Sequence, residues 1–295
     1  MAHASLEFFA SRAPSVSDLR ALTPYDGPRA DVGLIGGSGL YSFLDRAREV
    51  ALDTPWGAPS GPVVIGEVAG RRVAFVPRHG PDHRYPPHLV NYRANLWALR
   101  TVGARQVLAP CAVGALRVDL GPGSLVVPDQ VLDRTWGREH TYFDMAGAVV
   151  HVPFADPYCP AGRRATVDLA RQHGLEPVDG GTLVVVNGPR FSSRAESRWH
   201  AAAGGSVVGM TGLPEAALAR ELALCYTAVA LVTDLDAGVE GGSGVTQTEV
   251  FAVFARNIDL VRRLLTDLVP RLPAQPGDCP CARAHDGVRL PFPLP

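Results

Sequence analysis

The feature that most constrains the fold of this chain is a repeated alternation of short apolar runs with longer segments of helical periodicity. Val32 to Ile35 is an apolar run that stops at Gly36, whereas Leu89 to Val102 carries apolar residues at helical spacing and stops at Gly103. A strand buried on both faces reads as a continuous apolar run. Strands that alternate with helices predict an α/β fold with a largely parallel sheet covered on both faces.

Further elements follow the same alternation. Val63 to Val68 and Arg72 to Pro77 flank Ala69-Gly70 and predict a hairpin. The spacing of Ser193 to Glu196 and of Thr246 to Glu249 matches a capping box, so a helix is expected to begin at each, the second reaching about Leu268. The other predicted helices are Ala161 to His173 and one from about Leu213, and the other predicted strands are Val107 to Ala109, Leu125 to Val127, Leu183 to Val186, Val207 to Val208 and Tyr226 to Val232.

Composition excludes several classes of function. The 295 residues carry a net charge of −1, so no nucleic-acid or membrane-surface partner is indicated. All 28 basic residues are Arg. A chain without Lys cannot form a Walker A phosphate loop or a Schiff base. Five scattered cysteines predict reduced thiols in the cytoplasm rather than a disulfide framework, and no run is long and apolar enough to predict a transmembrane helix.

The chain is predicted to contain one large domain with two flanking segments. Residues 1–30 are polar with Pro and Ser, and form an N-terminal extension. Residues 31–272 contain the predicted strands and helices, with no internal repeat or linker. Residues 273–295 are Pro-rich and form a C-terminal tail without expected regular structure.

Two predicted strand ends carry residues suited to an anion. Gly36-Gly37-Ser38-Gly39 follows the first strand, where glycines admit an anion to backbone N–H groups and Ser38 adds a hydroxyl. This is either such a loop or an ordinary turn, and its spacing is not the dinucleotide fingerprint. Arg78 and His79 follow another strand. The Arg fork can bind two phosphate oxygens and His79 can donate a further hydrogen bond, although the pair could also be solvated.

Two more polar groups follow later strands. Thr211 could contact phosphate at a helix N-terminus or could simply cap that helix. Asp234 and Asp236, two residues apart in extended backbone, are expected to point the same way. A carboxyl group with a raised pKa could protonate N7 of a leaving purine, and its partner could accept from an exocyclic amine. An N-cap or a divalent-metal site are the alternatives for this pair.

Six motifs together resemble a known family. They run in order and at similar spacing from about Asp31 to Leu272: Ile35 to Leu40, Arg78 to Gly80, Asn91 to Asn95, Gly188 to Glu196, Met210-Thr211 and Thr233 to Asp236. The chain resembles the methylthioadenosine phosphorylases of the trimeric purine nucleoside phosphorylase family. The resemblance implies a single α/β domain with a central mixed sheet flanked by helices, assembled as a homotrimer.

The resemblance also implies roles for particular residues. A phosphate clamp would comprise Ser38, Arg78, His79, the backbone at Ala112, and Thr211. The nucleoside would contact Met210 at the ribose, Phe191 at the base, Val250 and Phe251 at the 5' end, and His151 from a neighbouring subunit. Asp234 and Asp236 would be catalytic, facing N7 and the 6-amino group. The implied reaction is phosphorolysis of 5'-methylthioadenosine, or of another 5'-substituted adenosine, with phosphate as co-substrate and neither a metal nor an organic cofactor.

Some positions depart from the family pattern. Cys111 replaces a Thr or Ser near phosphate, and Asn187 replaces an acidic residue. Gln247 stands at an often apolar position of the 5' pocket, which leaves methylthio, halogen or a smaller 5' substituent open. Cys279 and Cys281 resemble a C-x-C pair of some thermostable members and are expected to be an unpaired feature of the tail.

Three other functions are possible. A phosphorylase of 6-oxopurine nucleosides would be favoured by Asn at position 234, where this chain has Asp. A nucleoside hydrolase would need an Asp-rich metal loop, which Gly36 to Gly39 does not provide. A non-catalytic nucleoside-binding protein would not need both a phosphate clamp and an Asp pair.

Overall fold

A computed structural model describes residues 14–37, 44–239, 244–275, 277 and 279–295 of the chain. The described strands are β1 (Val32–Gly36), β2 (Asp45–Val50), β3 (Val63–Val68), β4 (Arg71–Pro77), β5 (Gln106–Ala115), β6 (Leu125–Val127), β7 (Gln130–Arg134), β8 (Val178–Asp179), β9 (Thr182–Val186), β10 (Gly205–Gly209) and β11 (Cys225–Leu235). The described helices are α1 (Val16–Arg20), α2 (Tyr92–Thr101), α3 (Pro160–Gln172), α4 (Arg194–Ala202), α5 (Gly212–Glu221) and α6 (Gln247–Leu268).

The strands form one mixed sheet that branches at β5. The main path runs β2-β3-β4-β1-β5-β10-β9-β7, while β11 pairs with both β5 and β6. β1, β4, β5 and β11 are mutually parallel along their pairings, and β10 is antiparallel to β5. β1 pairs with the first residues of β5 and β10 with the last, so β5 connects the two halves of the sheet. The carboxyl ends of β1, β4 and β11 consequently face one region.

Helices cover both faces of the sheet, as predicted. On one face, α2 and α5 pack around Leu96, Trp97 and Leu218. On the other, α3 and α6 pack around Leu169 and Leu264. Each apolar face is removed from water by its helices, and this burial is the main favourable contribution to folding.

Elements with a local sequence signal lie close to where that signal predicts them. The hairpin of β3 and β4 is antiparallel, with Ala69 and Gly70 at its turn. Ser193 and Thr246 both form the predicted capping boxes with Glu196 and Glu249. The helix expected over Leu89 to Val102 begins later, at Tyr92, because Asn91 caps it through Ala94 N and Pro87–Leu89 forms a separate 3-10 turn.

The flanking segments contact the domain where they are described. Leu19 of α1 is fully buried. In the tail, the ring of Phe292 packs 5.3 Å from that of Phe143 and 6.3 Å from that of Trp97. Residues 279–295 contain turns but no helix or strand. The division of the chain at residues 30 and 272 remains a prediction.

None of the helices in the described part of the chain combines the length and apolar character needed to cross a bilayer.

Candidate active site

A cavity of about 470 Å³ opens where the carboxyl ends of β1, β4 and β11 meet the second half of β5 and the start of α6. Ligands in open α/β sheets bind at such strand ends. Ten of the residues selected from the sequence line this cavity: Arg78, His79, Ala112, Phe191, Met210, Thr211, Asp234, Asp236, Val250 and Phe251. Ser38 lies outside the described residues, but Gly37 beside it lines the cavity.

Arg78 is buried at one end of the cavity and is held by protein groups. Its Nε and one Nη2 hydrogen donate to the two carboxylate oxygens of Glu215, at 2.5 and 3.1 Å. The backbone oxygens of Pro110 and Ile35 accept two further bonds, at 3.1 and 3.2 Å. Burial opposes the charge of Arg78, but the Glu215 carboxylate outweighs it and raises the pKa of the guanidinium.

This pairing corrects the expected two-oxygen phosphate clamp. The fork of Arg78 already engages Glu215, so it does not offer two parallel N–H groups to a ligand. A guanidinium has five N–H groups, and the four bonds formed within the described residues leave one on Nη1. Arg78 therefore offers the cavity one hydrogen-bond donor and a buried positive charge.

His79 is neutral in this environment. Burial, assisted by the charge of Arg78, lowers its pKa to about 4. Its Nδ1 lies 2.8 Å from the carbonyl oxygen of Tyr85, which can only accept, so Nδ1 carries the proton. The expected donation from His79 to phosphate would need a protonated ring and stays a prediction; in the neutral ring Nε2 is an acceptor. It can accept from a protonated phosphate oxygen or a ribose hydroxyl. The ring of His83 stacks on that of His79 at 4.3 Å.

Two other side chains line the cavity with Arg78 and His79. Burial raises the pKa of the Cys111 thiol to about 11, so it is a neutral and weak donor. Thr211 is the residue before α5, and its hydroxyl makes no capping hydrogen bond to that helix. The capping alternative for Thr211 is therefore not realised, and Thr211 lines the cavity instead.

Asp234 has the environment of a proton donor. Burial, with a smaller contribution from the neighbouring charge of Asp236, raises its pKa to about 6. The hydroxyl of Thr233 donates to its Oδ2 at 2.8 Å and partly opposes that shift. A pKa near the working pH is what general acid catalysis needs.

Asp236 is held differently, although it lies beside Asp234. Ser197 of α4 donates to its Oδ2 at 2.5 Å, and Ala115 O accepts from its backbone N–H at 2.9 Å. Thr233 occupies a bulge in the pairing of β11 with β5. Both aspartates pack over Gly114 of β5, so the two side chains face the same side, as the sequence spacing predicts.

The remaining walls are more apolar. Phe191, Met210, Val250 and Phe251 line them, and Gln247, the first residue of α6, adds a polar side chain. Asn187 lies outside this cavity, and its Oδ1 accepts from Nε of Arg138 at 3.1 Å. Arg138 also donates to the backbone oxygens of Met210 and Leu213, at 2.9 and 2.6 Å. Arg138 thus joins several segments behind the Met210 wall.

His151 does not reach the cavity of its own chain. It is exposed on the segment between β7 and α3. Its neighbour Val149 is 76% exposed, and Trp136 of the same region is 75% exposed.

Comparison with known proteins identifies the family. Residues 31–270 match the model of the phosphorylase superfamily. The chain belongs to the phosphorylase superfamily. The purine nucleoside phosphorylase of Streptomyces coelicolor is 62% identical to it over 275 residues, which cover 90% of this chain and 98% of that protein.

Two further relatives of this phosphorylase carry methylthioadenosine in their names. The S-methyl-5'-thioadenosine phosphorylase of Mycolicibacterium smegmatis is 56% identical, with 90% of this chain and 99% of that one covered. The structure of methylthioadenosine phosphorylase from Schistosoma mansoni in complex with adenine superposes with a TM-score of 0.78 at 37% identity, covering 83% and 91% of the two chains. The predicted fold class, a single domain with a mixed sheet flanked by helices, is confirmed.

Sequence reasoning missed the residues that support this phosphorylase's site from behind. Glu215 holds Arg78 and also accepts from the Tyr226 hydroxyl at 2.7 Å, Ser197 holds Asp236, and Arg138 supports the Met210 wall. Only Ser197 had a local signal, because it follows the capping box of α4 by one residue. Glu215 is 137 residues from Arg78, and no local pattern relates them.

Proposed function

We propose that this phosphorylase cleaves 5'-methylthioadenosine, or a related 5'-deoxy-5'-substituted adenosine, with inorganic phosphate. The products are adenine and a 5-substituted ribose 1-phosphate. One observation carries the proposal: a buried Arg and a carboxyl group with a raised pKa line the same cavity. The names of the Mycolicibacterium and Schistosoma relatives support the same substrate.

The phosphate would bind at the Arg78 end of the cavity. Arg78 offers its remaining N–H and its charge, while Thr211 offers a hydroxyl at the N-terminus of α5. Ser38 and the backbone at Ala112 would complete the site. His79, neutral through Nδ1–H, would accept a hydrogen bond from the bound substrates at Nε2. An anion buried beside these groups is stabilised more strongly than in water.

The adenine would bind against the two aspartates and Phe191. Protonated Asp234 donates to N7, and Asp236 accepts from the 6-amino group through Oδ1, since Oδ2 already accepts from Ser197. As the C1'–N9 bond breaks, its electron pair moves into the base, and the proton of Asp234 goes to N7. The resulting positive charge at the sugar is stabilised by the phosphate below it, and a phosphate oxygen then forms the new bond to C1'.

The sugar would lie along Met210, with its 5' substituent toward Val250, Phe251 and Gln247. Because His151 is exposed and does not line the cavity of its own chain, we propose that it covers the 5' end of the substrate in a neighbouring subunit of a homotrimer.

We further propose a purine-salvage role in the cytoplasm, where free cysteines stay reduced. The proposed reaction needs neither a metal ion nor an organic cofactor. Phosphate supplies the nucleophile that attacks C1', and Asp234 supplies the proton that N7 of the base receives.

Adenine release from 5'-methylthioadenosine, with and without phosphate, tests the function. We expect adenine release only with phosphate, and we expect phosphorus NMR to detect the 5-substituted ribose 1-phosphate product. Release that does not depend on phosphate would indicate hydrolysis and overturn the assignment of the Arg78 end. The inosine form is the matched control, because faster cleavage of inosine nucleosides would move this enzyme to the 6-oxopurine class.

A further inference from the structure

A second cluster of reactive groups lies away from the cavity. The structure brings together four cysteines that are distant in sequence: Cys159 immediately before α3, Cys225 at the start of β11, and Cys279 and Cys281 in the tail. Their four Sγ atoms all lie within 4.8 Å of one another. Cys279 and Cys281 are therefore not the isolated tail pair expected from the sequence.

The spacing of the sulfur atoms fits a tetrahedral metal site. Zinc binds thiolates at about 2.3 Å, so the edge of a four-sulfur tetrahedron around it is about 3.8 Å. The Sγ atoms of Cys159 and Cys279 are 3.6 Å apart, and the largest separation in the cluster is below 4.8 Å. A disulfide needs sulfur atoms about 2.05 Å apart, and all five cysteines of the chain are free thiols.

The backbone around the cluster is fixed by regular hydrogen bonds. The N–H of Cys225 donates to Arg105 O at 2.9 Å, and that of Cys159 donates to Tyr226 O at 2.8 Å. The tail turns tightly at the other two cysteines, since Ala282 N–H donates to Cys279 O at 3.0 Å. The protein thus positions two sulfurs on its core and two on a single turn of the tail.

Burial and charge favour a metal in this position. Cys159, Cys225 and Cys281 are at most 1% exposed, while Cys279 is partly exposed. Four adjacent thiolates, three of them buried, would be strongly unfavourable without a cation. The backbone N–H of Gly162 donates to Sγ of Cys159 at 3.4 Å in the first turn of α3, and both this bond and the helix N-terminus compensate negative charge on the sulfur.

We propose that Cys159, Cys225, Cys279 and Cys281 bind one zinc ion. Four thiolate ligands complete the tetrahedron, so no coordination position remains for a substrate, and the role is structural. Asp234 lies nine residues beyond Cys225 on β11, or about 30 Å at the rise of an extended strand. The proposed zinc is thus separate from the phosphorolysis site, which has no metal in its mechanism.

The zinc would attach the tail to the domain. It links Cys279 and Cys281 to the start of α3 and the start of β11, and the same tail places Phe292 against Trp97. Because ligands scattered over 120 residues come together only in the folded chain, the free energy of zinc binding stabilises the fold.

Metal analysis of the full-length protein tests the proposal. We expect about one zinc per chain by mass spectrometry of protein expressed with zinc and purified without chelators or an affinity metal. Cys279→Ser, the variant at the least buried ligand, should lower zinc content at least tenfold under equal zinc competition. Cys111→Ser removes a thiol outside the cluster and should retain the full amount.

Cobalt exchange provides a second measurement on the unmodified sequence. Protein in which Co²⁺ replaces the metal should show thiolate-to-cobalt charge transfer and the strong visible bands of tetrahedral coordination. Zinc well below one per chain, equal zinc in wild type and Cys279→Ser, stoichiometric iron instead of zinc, or disulfides found in the denatured protein would each overturn the proposal. These readouts do not depend on activity, so they stand apart from the adenine-release test.

Discussion

At the residue scale, the two aspartates at the end of β11 have the same side chain in different environments. Burial raises the pKa of Asp234 to about 6, whereas Asp236 accepts a short hydrogen bond from Ser197. Two carboxyl groups in such different environments can take different roles, one as a proton donor and the other as a hydrogen-bond acceptor. The chemistry proposed for this phosphorylase therefore depends on which of the two aspartates carries the proton.

Replacement of Asp234 tests that division. Asp234→Asn should lower kcat/KM for 5'-methylthioadenosine by about 10²–10⁴-fold, because an amide cannot transfer a proton to N7. Activity toward the inosine form should fall less, because the amide can both donate and accept near N7 and O6. Asp119→Asn, which changes an exposed carboxylate paired with Arg117, is the matched control and should be unaffected. Near-normal turnover of Asp234→Asn would contradict the assignment.

The pKa of Asp234 also predicts how adenine binding depends on pH. With a pKa of about 6, only about a tenth of Asp234 is protonated at pH 7. If the protonated form binds adenine, affinity should fall about tenfold per pH unit above pH 7, and binding should take up one proton. Calorimetry in buffers of different ionisation enthalpy measures both. Equal proton uptake in wild type and Asp234→Asn would exclude Asp234 as the titrating group.

At the scale of elements, the site depends on a close approach of β5 and β11. Gly114 of β5 lies under both aspartates, where a Cβ would be 2.8 Å from Oδ1 of Asp234 and 3.2 Å from Cβ of Asp236. Its backbone is not in the left-handed region, so the constraint on this position is space. A methyl group there must displace the carboxyl groups from the base.

Gly114→Ala is therefore expected to lower kcat/KM at least tenfold. Overpacking of this kind costs about 1–3 kcal/mol in stability, so the variant should still fold. Gly121→Ala is the matched control, since a Cβ at Gly121 would meet nothing within 4 Å. Steady-state kinetics and thermal melting of both variants check the prediction. Unchanged kinetics in Gly114→Ala would show that the aspartates can move without loss of function.

Elements were predictable from sequence to the extent that their signals are local. β1 and β4 have apolar runs, and α4 and α6 have complete capping boxes, so all four were located. β2 and β7 were missed because their sequences, DRAREV and QVLDR, are largely polar: both lie at ends of the sheet path, where fewer residues are buried. The short α1 was missed as well, although Ser15 caps it.

The site was predictable where the resemblance supplied its residues, and less so in its internal contacts. Strand-end motifs brought Arg78, Thr211 and Asp234 to one cavity. The pairing of Arg78 with Glu215 and the meeting of Cys159 with Cys279 join positions more than 100 residues apart. Only the three-dimensional path of the chain brings such residues together, so a single sequence contains no local signal for them.

At the scale of the whole molecule, the tail is packed against the domain at two places. The four-cysteine cluster lies at one, and Phe292, which is 2% exposed between Trp97 and Phe143, lies at the other. Near the second, Nε of Arg20 donates to Pro291 O at 2.7 Å, which connects the N-terminal helix to the tail. The tail therefore bridges distant parts of the fold without lining the cavity.

Phe292→Ala measures the contribution of the second contact. Truncation of a buried Phe costs about 3 kcal/mol or more, which corresponds to a fall in Tm of about 6–10 °C for a domain of this size. Val288→Ala, at a 36% exposed position of the same segment, should change Tm little. Turnover at 25 °C should stay at the wild-type level in both variants. An unchanged Tm in Phe292→Ala would mean that the tail adds nothing to stability.

Combining that change with loss of a zinc ligand tests whether the two contacts act together. Cys279→Ser releases the tail from the cluster, so packing Phe292 against Trp97 must then restrict a more flexible chain. The Phe292 contact should therefore contribute less stability in the Cys279→Ser background, and its truncation should lower the free energy of unfolding by less than in the wild type. We expect Cys279→Ser/Phe292→Ala to be less destabilised than the sum of the single variants by about 0.5–3 kcal/mol, the usual range for coupled sites. Denaturant unfolding of the four proteins measures this coupling. Strict additivity would instead show that the cysteine cluster and Phe292 hold the tail independently.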